Sequence, residues 1–241
     1  SGMGGISVLR SLLRQMPGEY YIFWGDNQNA PYGTRSAQDI TALTWGVVHK
    51  LLARDIKALV IACNTATAAA ASDLRAKLAI PVLGLEPALK PAAAHAKGGA
   101  VVVLATEATL RLEKYARLLR AYGQNTHSVA CPELVAFVER GDTSSDALME
   151  CLKQKLAPYA PDGISAIVLG CTHFVWLKDA VKKILPDATV FDGNDALARH
   201  LEGILGARGL LRPPGSGGYE LHTTSDDPEM RALMHRFLAG I

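Results

Sequence analysis

Short apolar runs alternate with longer amphipathic ones along this chain. Residues 19–24 (EYYIFW), 58–62 (ALVIA), 81–85 (PVLGL), 100–104 (AVVVL), 165–169 (SAIVL) and 188–191 (ATVF) read as buried strands. They are short, apolar on both faces and bounded by Gly, Pro or Asp, the pattern of parallel strands covered by helices. Helical periodicity fills the intervals at 6–15, 36–54, 66–78, 110–122, 146–156, 175–184 and 195–205. In the second of these Ser36 stands at a capping position, and Ile40, Leu43, Val47 and Leu51 fall on one face. Such alternation predicts an α/β fold of doubly wound parallel sheets.

The pattern also repeats. Ala58-Leu-Val-Ile-Ala-Cys63-Asn64-Thr65 and Ala166-Ile-Val-Leu-Gly-Cys171-Thr172-His173 share an aliphatic run, a small residue, a cysteine and two polar side chains. The two cysteines are 108 residues apart in a chain of 241. This predicts two pseudo-symmetric α/β domains with a site between them, residues 1–88 plus 195–241 forming the first and 89–194 the second. The second half opens with the strand at 100–104, whereas the first opens with Ser1-Gly-Met-Gly-Gly5 and a helix. A counterpart strand is therefore expected ahead of Ser1, lost from or never included in this sequence. The segment 212–218 (RPPGSGG) reads as a loop, 219–223 as a strand and 226–238 as a final helix with Pro228 in its first turn. That last unit is expected to return to the first domain.

Composition narrows the functional classes. A formal charge of +2 with scattered basic residues gives no nucleic-acid or membrane surface. No apolar run approaches the roughly 18 residues of a membrane helix, and no signal peptide is evident. Four cysteines without a CxxC pair or a zinc-spaced Cys/His cluster point to reduced thiols in a cytoplasm, with no metal expected.

The chemistry centres on the duplicated turns. In open α/β sheets ligands sit beyond the carboxyl ends of the strands, where Cys63 and Cys171 stand, each just before a helix. Backbone N–H groups and the helix dipole there favour a thiolate. Asn64, Thr65 and Thr172 can donate to a carboxylate, and His173 can orient or move the Cys171 proton. One thiol at the same point of each half can present two thiols to a shared cleft, an arrangement that takes a proton from one face of a carbon and returns one to the other. A lone cysteine after an aliphatic strand is ordinarily a core residue; the matched pair argues otherwise. Cys131 and Cys151, which lack that symmetry, read as packing or surface residues, and the six other histidines as solvated or capping. The glycine block 1–5 could bind an anion through its N–H groups, the turn 26–33 (DNQNAPYG) is polar, and by composition alone Glu139 is a solvated acid.

Taken together, Ser1-Gly-Met-Gly-Gly, Pro31-Tyr32-Gly33, Ala62-Cys63-Asn64-Thr65-Ala66 and Gly170-Cys171-Thr172-His173 resemble the signature blocks of glutamate racemase, in order and over nearly the whole chain. Residues 85–91 and the 104–109 turn look like members of that family too. The resemblance implies a cofactor-independent racemase of L- and D-glutamate, the latter a building block of bacterial peptidoglycan. It carries the cysteine acting on the D-enantiomer to Cys63 and the one acting on the L-enantiomer to Cys171. It carries substrate contacts to Ser1, Tyr32, Gly33, Asn64, Thr65, Thr172 and His173, and an acid assisting the second cysteine to Glu139. The partner implied is the small molecule alone; a homodimer is one assembly considered. Two departures stand out. The family has an Asp directly before the Ser that here is Ser1, and Phe174-Val175 replaces its usual aromatic-Pro pair. The alternatives are racemisation of another substrate such as aspartate, disfavoured by His173 where such relatives tend to carry an acid; an amino-acid-binding relative that has lost catalysis; and a thiol redox or metal protein joining Cys63 to Cys171.

Overall fold

The computed structural model describes residues 2–97 and 99–240. In chain order the elements are α1 (Gly4–Gln15), β1 (Tyr20–Gly25), α2 (Ala37–Leu52), β2 (Leu59–Ile61), α3 (Asn64–Lys77), β3 (Val82–Gly84), α4 (Leu89–Ala96) and β4 (Ala100–Ala105). They continue with α5 (Glu107–Arg111), α6 (Glu113–Tyr122), β5 (Thr126–Ala130), α7 (Pro132–Glu139), α8 (Asp146–Leu156), β6 (Ile164–Leu169), α9 (Lys178–Ile184), β7 (Thr189–Phe191), α10 (Asn194–Ala207), β8 (Gly218–Thr223) and α11 (Pro228–Ala239). The strand pairs among the described residues are parallel, in the orders β1-β8, β2-β3 and β5-β4-β6-β7. This is the α/β architecture that the alternating pattern predicts.

The four-stranded sheet shows why continuous apolar runs were needed. All six residues of β4 are buried. Val102, Leu104, Ile167 and Leu169 face α7, α8 and α9, while Val101, Val103, Ala166 and Val168 face α4 and α6. A strand covered on both sides cannot alternate apolar with polar. Each fully buried Val, Leu or Ile contributes about 1.5–3 kcal/mol, so this sheet anchors the fold. The same division holds around β2, where Leu59 and Ile61 meet α2 and α3 and Val60 packs with α1 and α10.

β1 does not pair with β2. Between them, with α1 on one side and α2 on the other, lies an apolar cavity of about 560 Å³ that reaches Asp26, Tyr32 and Cys63. In the four-stranded sheet β4 lies between β5 and β6 and pairs with both. β8 pairs with β1 from Tyr20↔Gly218 to Gly25↔Thr223, returning the end of the chain to its beginning.

Some elements depart from the sequence pattern. β5 carries no apolar run, because it is an edge strand with only Val129 buried. α4 and α7 are short helices without a side-chain cap, although α7 opens on Pro132 with Glu133 in its first turn. The expected helix at 110–122 is two helices, α5 and α6, broken where Leu112 adopts extended geometry. The helix expected from 175 opens instead as a 3₁₀ turn, Phe174–Leu177, so Cys171 is followed by a tighter turn before α9 begins. Ser36 caps α2 as expected, its side chain accepting from Asp39 N.

Leu152 on α8 is fully buried in the core beneath the four-stranded sheet. Leu152→Ala should cost about 2–5 kcal/mol of unfolding free energy, measured by urea denaturation, with the denaturant slope unchanged.

Candidate active site

The site is built where strand ends meet the start of α1. β6 ends at Leu169, and Cys171, Thr172 and His173 follow in a tight turn, all buried. α1 starts against that turn. A Cβ at Gly4 would collide with Thr172 Oγ1 and His173 Nδ1, and one at Gly2 would collide with the Glu139 carboxylate. The glycine block therefore permits close approach of backbone to polar side chains. Of its N–H groups, that of Met3 donates to Glu139 Oε1 at 2.9 Å, so the anion met there is a carboxylate of the protein itself.

Glu139, at the last position of α7, is not the solvated acid its composition suggested. Its side chain is 18 % exposed, and Oε1 lies 2.6 Å from His173 Nε2. His173 Nδ1 in turn lies 3.5 Å from Cys171 Sγ. Burial alone would lower the His173 pKa. The Cys171 sulfur beside it, through charge interaction and hydrogen bond, and then the Glu139 carboxylate outweigh burial and push it up to about 10. Burial likewise works to raise Glu139, but the His173 hydrogen bond and charge, with the Met3 N–H, hold its carboxyl below the usual range. The result is a carboxylate, an imidazolium and a sulfur in line. An imidazolium beside a sulfur stabilises the thiolate, and an imidazole so placed can hold or return its proton.

Cys63 is handled differently. It is the N-cap of α3, its Sγ accepting from Ala66 N at 3.4 Å at the start of a 14-residue helix. Helix-terminal N–H groups and the dipole favour negative charge on that sulfur. The two cysteine turns are joined through their neighbours. Thr172 Oγ1 donates a long hydrogen bond, 3.5 Å, to Ala62 O. Ser7 Oγ donates to Gly4 O and Thr172 O at 2.8 and 3.1 Å, and receives Asn194 Nδ2 at 3.0 Å.

Asn64 and Thr65 open α3, both buried. Thr65 Oγ1 sits 3.0 Å from Thr106 Oγ1 and 3.1 Å from Thr109 Oγ1, which are 3.0 Å from each other, a closed ring of three hydroxyls between the Cys63 turn and α5. Tyr32 and Gly33 are buried in a 3₁₀ turn, and a Cβ on Gly33 would come within 2.8 Å of Thr106. The Tyr32 hydroxyl donates to Asp26 Oδ2 at 2.6 Å; burial first, then that carboxylate, raises the phenol's pKa. Of the expected residues, Cys171, His173 and Glu139 form one connected line, and Thr65, Gly33 and Thr172 reach across to other elements of the site. Ser1 lies outside the described residues. Sequence reasoning marks the turns 26–33 and 104–109 without giving Asp26, Thr106 or Thr109 a role, and it misses Ser7 and Asn194. Asp26, Thr106 and Thr109 lie in polar turns at strand ends, which is the signal that could have found them. Cys131 is fully buried, its thiol pushed up to about 12 by burial, as suits a packing residue.

The sequence profile of a family described as Asp/Glu/hydantoin racemase matches residues 3–201. A glutamate racemase of Clostridium perfringens is 45 % identical over 206 residues, covering 84 % of this chain and 79 % of its own. One of Bifidobacterium longum subsp. infantis is 41 % identical over 254 residues, covering 100 % of this chain and 96 % of its own. Among solved structures, glutamate racemase of Francisella tularensis in complex with D-glutamate superposes with a TM-score of 0.86 at 28 % identity, covering 99 % of this chain and 91 % of that one.

The ionised pair has a pH signature. Because His173 is raised from 6.5 to about 10, its contribution to stability is complete below about pH 6.5 and is lost as pH rises toward 10. Glu139, lowered from 4.5, contributes above that value and loses its contribution as pH falls through its lowered pKa. Glu139→Gln removes one of the anions that hold the imidazolium. Urea midpoints measured across this range should show the alkaline loss setting in at lower pH than in the wild type; identical profiles would contradict the pairing.

Proposed function

The chain belongs to the Asp/Glu/hydantoin racemase family, among its glutamate racemases, and is an isomerase; we propose that it interconverts L- and D-glutamate by two-base proton transfer between Cys63 and Cys171. The observation that carries this reading is that both thiols stand at parallel strand ends, each beside its own source of positive potential: a helix N-terminus for Cys63 and the His173–Glu139 pair for Cys171. That the Francisella relative is complexed with D-glutamate supports the substrate assignment.

One cysteine enters as thiolate and removes the α-proton; the other enters as thiol and protonates the opposite face. Cys63 takes the proton of the D-enantiomer and Cys171 that of the L-enantiomer. The α-carbon of an amino acid is a far weaker acid than a thiol, so the carbanion must be stabilised where its charge gathers, on the carboxylate. Asn64, Thr65, Thr172 and nearby backbone N–H groups are the donors assigned to that task, with Ser1, Tyr32 and Gly33 as further substrate contacts. Loss of one well-aimed donor of this kind costs about 10²–10³-fold in rate. His173 returns or holds the Cys171 proton, and Glu139 keeps the imidazole charged and oriented. The two thiols supply both proton transfers, so the reaction needs no cofactor. Residues 1–88 with 195–241, and residues 89–194, are the two domains whose closure excludes water around the carbanion. The product serves bacterial peptidoglycan synthesis, which places the enzyme in the cytoplasm.

Single-cysteine variants test the assignment. Cys63→Ser and Cys171→Ser should each lose racemisation by about 10²–10⁴-fold or more, followed by optical rotation. In heavy water Cys171→Ser should exchange the α-proton of D-glutamate faster than that of L-glutamate, and Cys63→Ser the reverse. Either variant racemising at the wild-type rate would refute the roles of the two thiols.

A further inference from the structure

Asp26 stands directly after β1 and is 3 % exposed. Its Oδ2 accepts the Tyr32 hydroxyl at 2.6 Å and Asn29 Nδ2 at 3.2 Å; its Oδ1 accepts the same amide at 3.0 Å and Thr224 Oγ1 at 2.8 Å. Each of these donors is neutral. A buried side chain that takes four hydrogen bonds from three others is held in one place and holds them in turn.

What the geometry does follows from where the donors lie. Asn29 and Tyr32 belong to the turn that leaves β1, and Thr224 to the residues just past β8. The same two segments are tied again by Thr223 Oγ1 to Asn27 Oδ1 at 2.8 Å and by Gln28 N to Thr224 Oγ1 at 3.1 Å. Asp26 therefore gathers a turn and the end of an edge strand onto one carboxylate. From there the contacts lead to the site. Gly33 rests on Thr106, and Thr106 closes the hydroxyl ring with Thr65, two residues after Cys63. The cavity between β1 and β2 reaches Asp26, Tyr32 and Cys63 together.

We propose that Asp26 is a positioning residue for catalysis: by fixing the Tyr32 hydroxyl it holds the Tyr32–Gly33 turn against the Thr65–Thr106–Thr109 ring on the Cys63 side of the cleft. The proposal rests on the reading of Tyr32 and Gly33 as glutamate contacts. A group acting this way governs how well substrate is held, more than how fast the seated substrate reacts. Its loss should therefore appear in KM. The equilibrium between enantiomers is unity, so kcat/KM must fall equally in both directions.

The test is a double-mutant cycle on the full chain with Asp26→Asn and Tyr32→Phe, reading KM and kcat for both enantiomers beside urea midpoints. Each single variant should raise KM about tenfold with kcat changed less than about threefold, and the double variant should be no worse than the more severe single. Additive effects, or a loss confined to the urea midpoint with KM unmoved, would overturn the proposal. Thr224→Val withdraws one donor from the same carboxylate while leaving Asp26 and Tyr32 in place. It should raise KM about threefold, and an unchanged KM overturns the proposal even if Asp26→Asn fails to fold. A folded wild-type protein that does not turn glutamate over would overturn the functional reading and this proposal with it, whereas normal turnover with additive variants would overturn this proposal alone.

Discussion

A buried ion pair, Glu139 with His173 at 2.6 Å, organises the centre of this molecule. Three elements far apart in sequence must converge for it to exist: the end of α7, the turn after β6 and the start of α1. Burying two charges is expensive, and it is sustained only where geometry is close and the remaining hydrogen-bonding capacity is used. Met3 N supplies a further bond to Glu139, and the Cys171 sulfur meets the other nitrogen of the imidazole. The glycines at the start of α1 are what allow this density, since a side chain at Gly2 or Gly4 would fall onto the carboxylate or onto Thr172 and His173.

The two cysteines occupy matching places in the duplicated pattern, yet the structure surrounds them differently. Cys63 caps a long helix, and the backbone dipoles there add positive potential at its sulfur. Cys171 sits beside a titratable side chain. In the proposed reaction each thiol must be thiolate in one direction and thiol in the other. A helix N-terminus beside one sulfur and an imidazole beside the other surround the two thiols differently. The hydroxyls of Thr65, Thr106 and Thr109, together with Thr172 on Ala62, knit these unlike surroundings into one site.

Much of this was legible in the sequence, for definable reasons. Strands covered on both faces announce themselves as apolar runs, and the repeated strand–Cys–polar–polar turn placed both cysteines at strand ends. β5 was invisible because an edge strand buries little; its run Thr-His-Ser-Val-Ala has one buried side chain. The break at Leu112 was invisible because the apolar period continues through it while the backbone does not. From composition alone Glu139 could not be raised above a surface acid, since its partners Met3 and His173 are 136 and 34 residues away. Only the family resemblance pointed to it, and the geometry now places it at 18 % exposure against His173. Asp26, Thr106 and Thr109 stood in turns the sequence marked but received no role, for a related reason: short polar residues in turns are common, and what distinguishes these is the company brought by the fold.

In the proposed reaction two different thiols handle the proton on the two faces of the substrate. This is tested most directly by running the wild-type enzyme on one enantiomer in heavy water and measuring deuterium at the α-carbon of both enantiomers before equilibrium. Two bases predict product that is deuterated while the remaining substrate is still protonated. Deuterium entering the unconverted substrate as fast as the product, or product retaining the original proton, would indicate a single base and contradict the account.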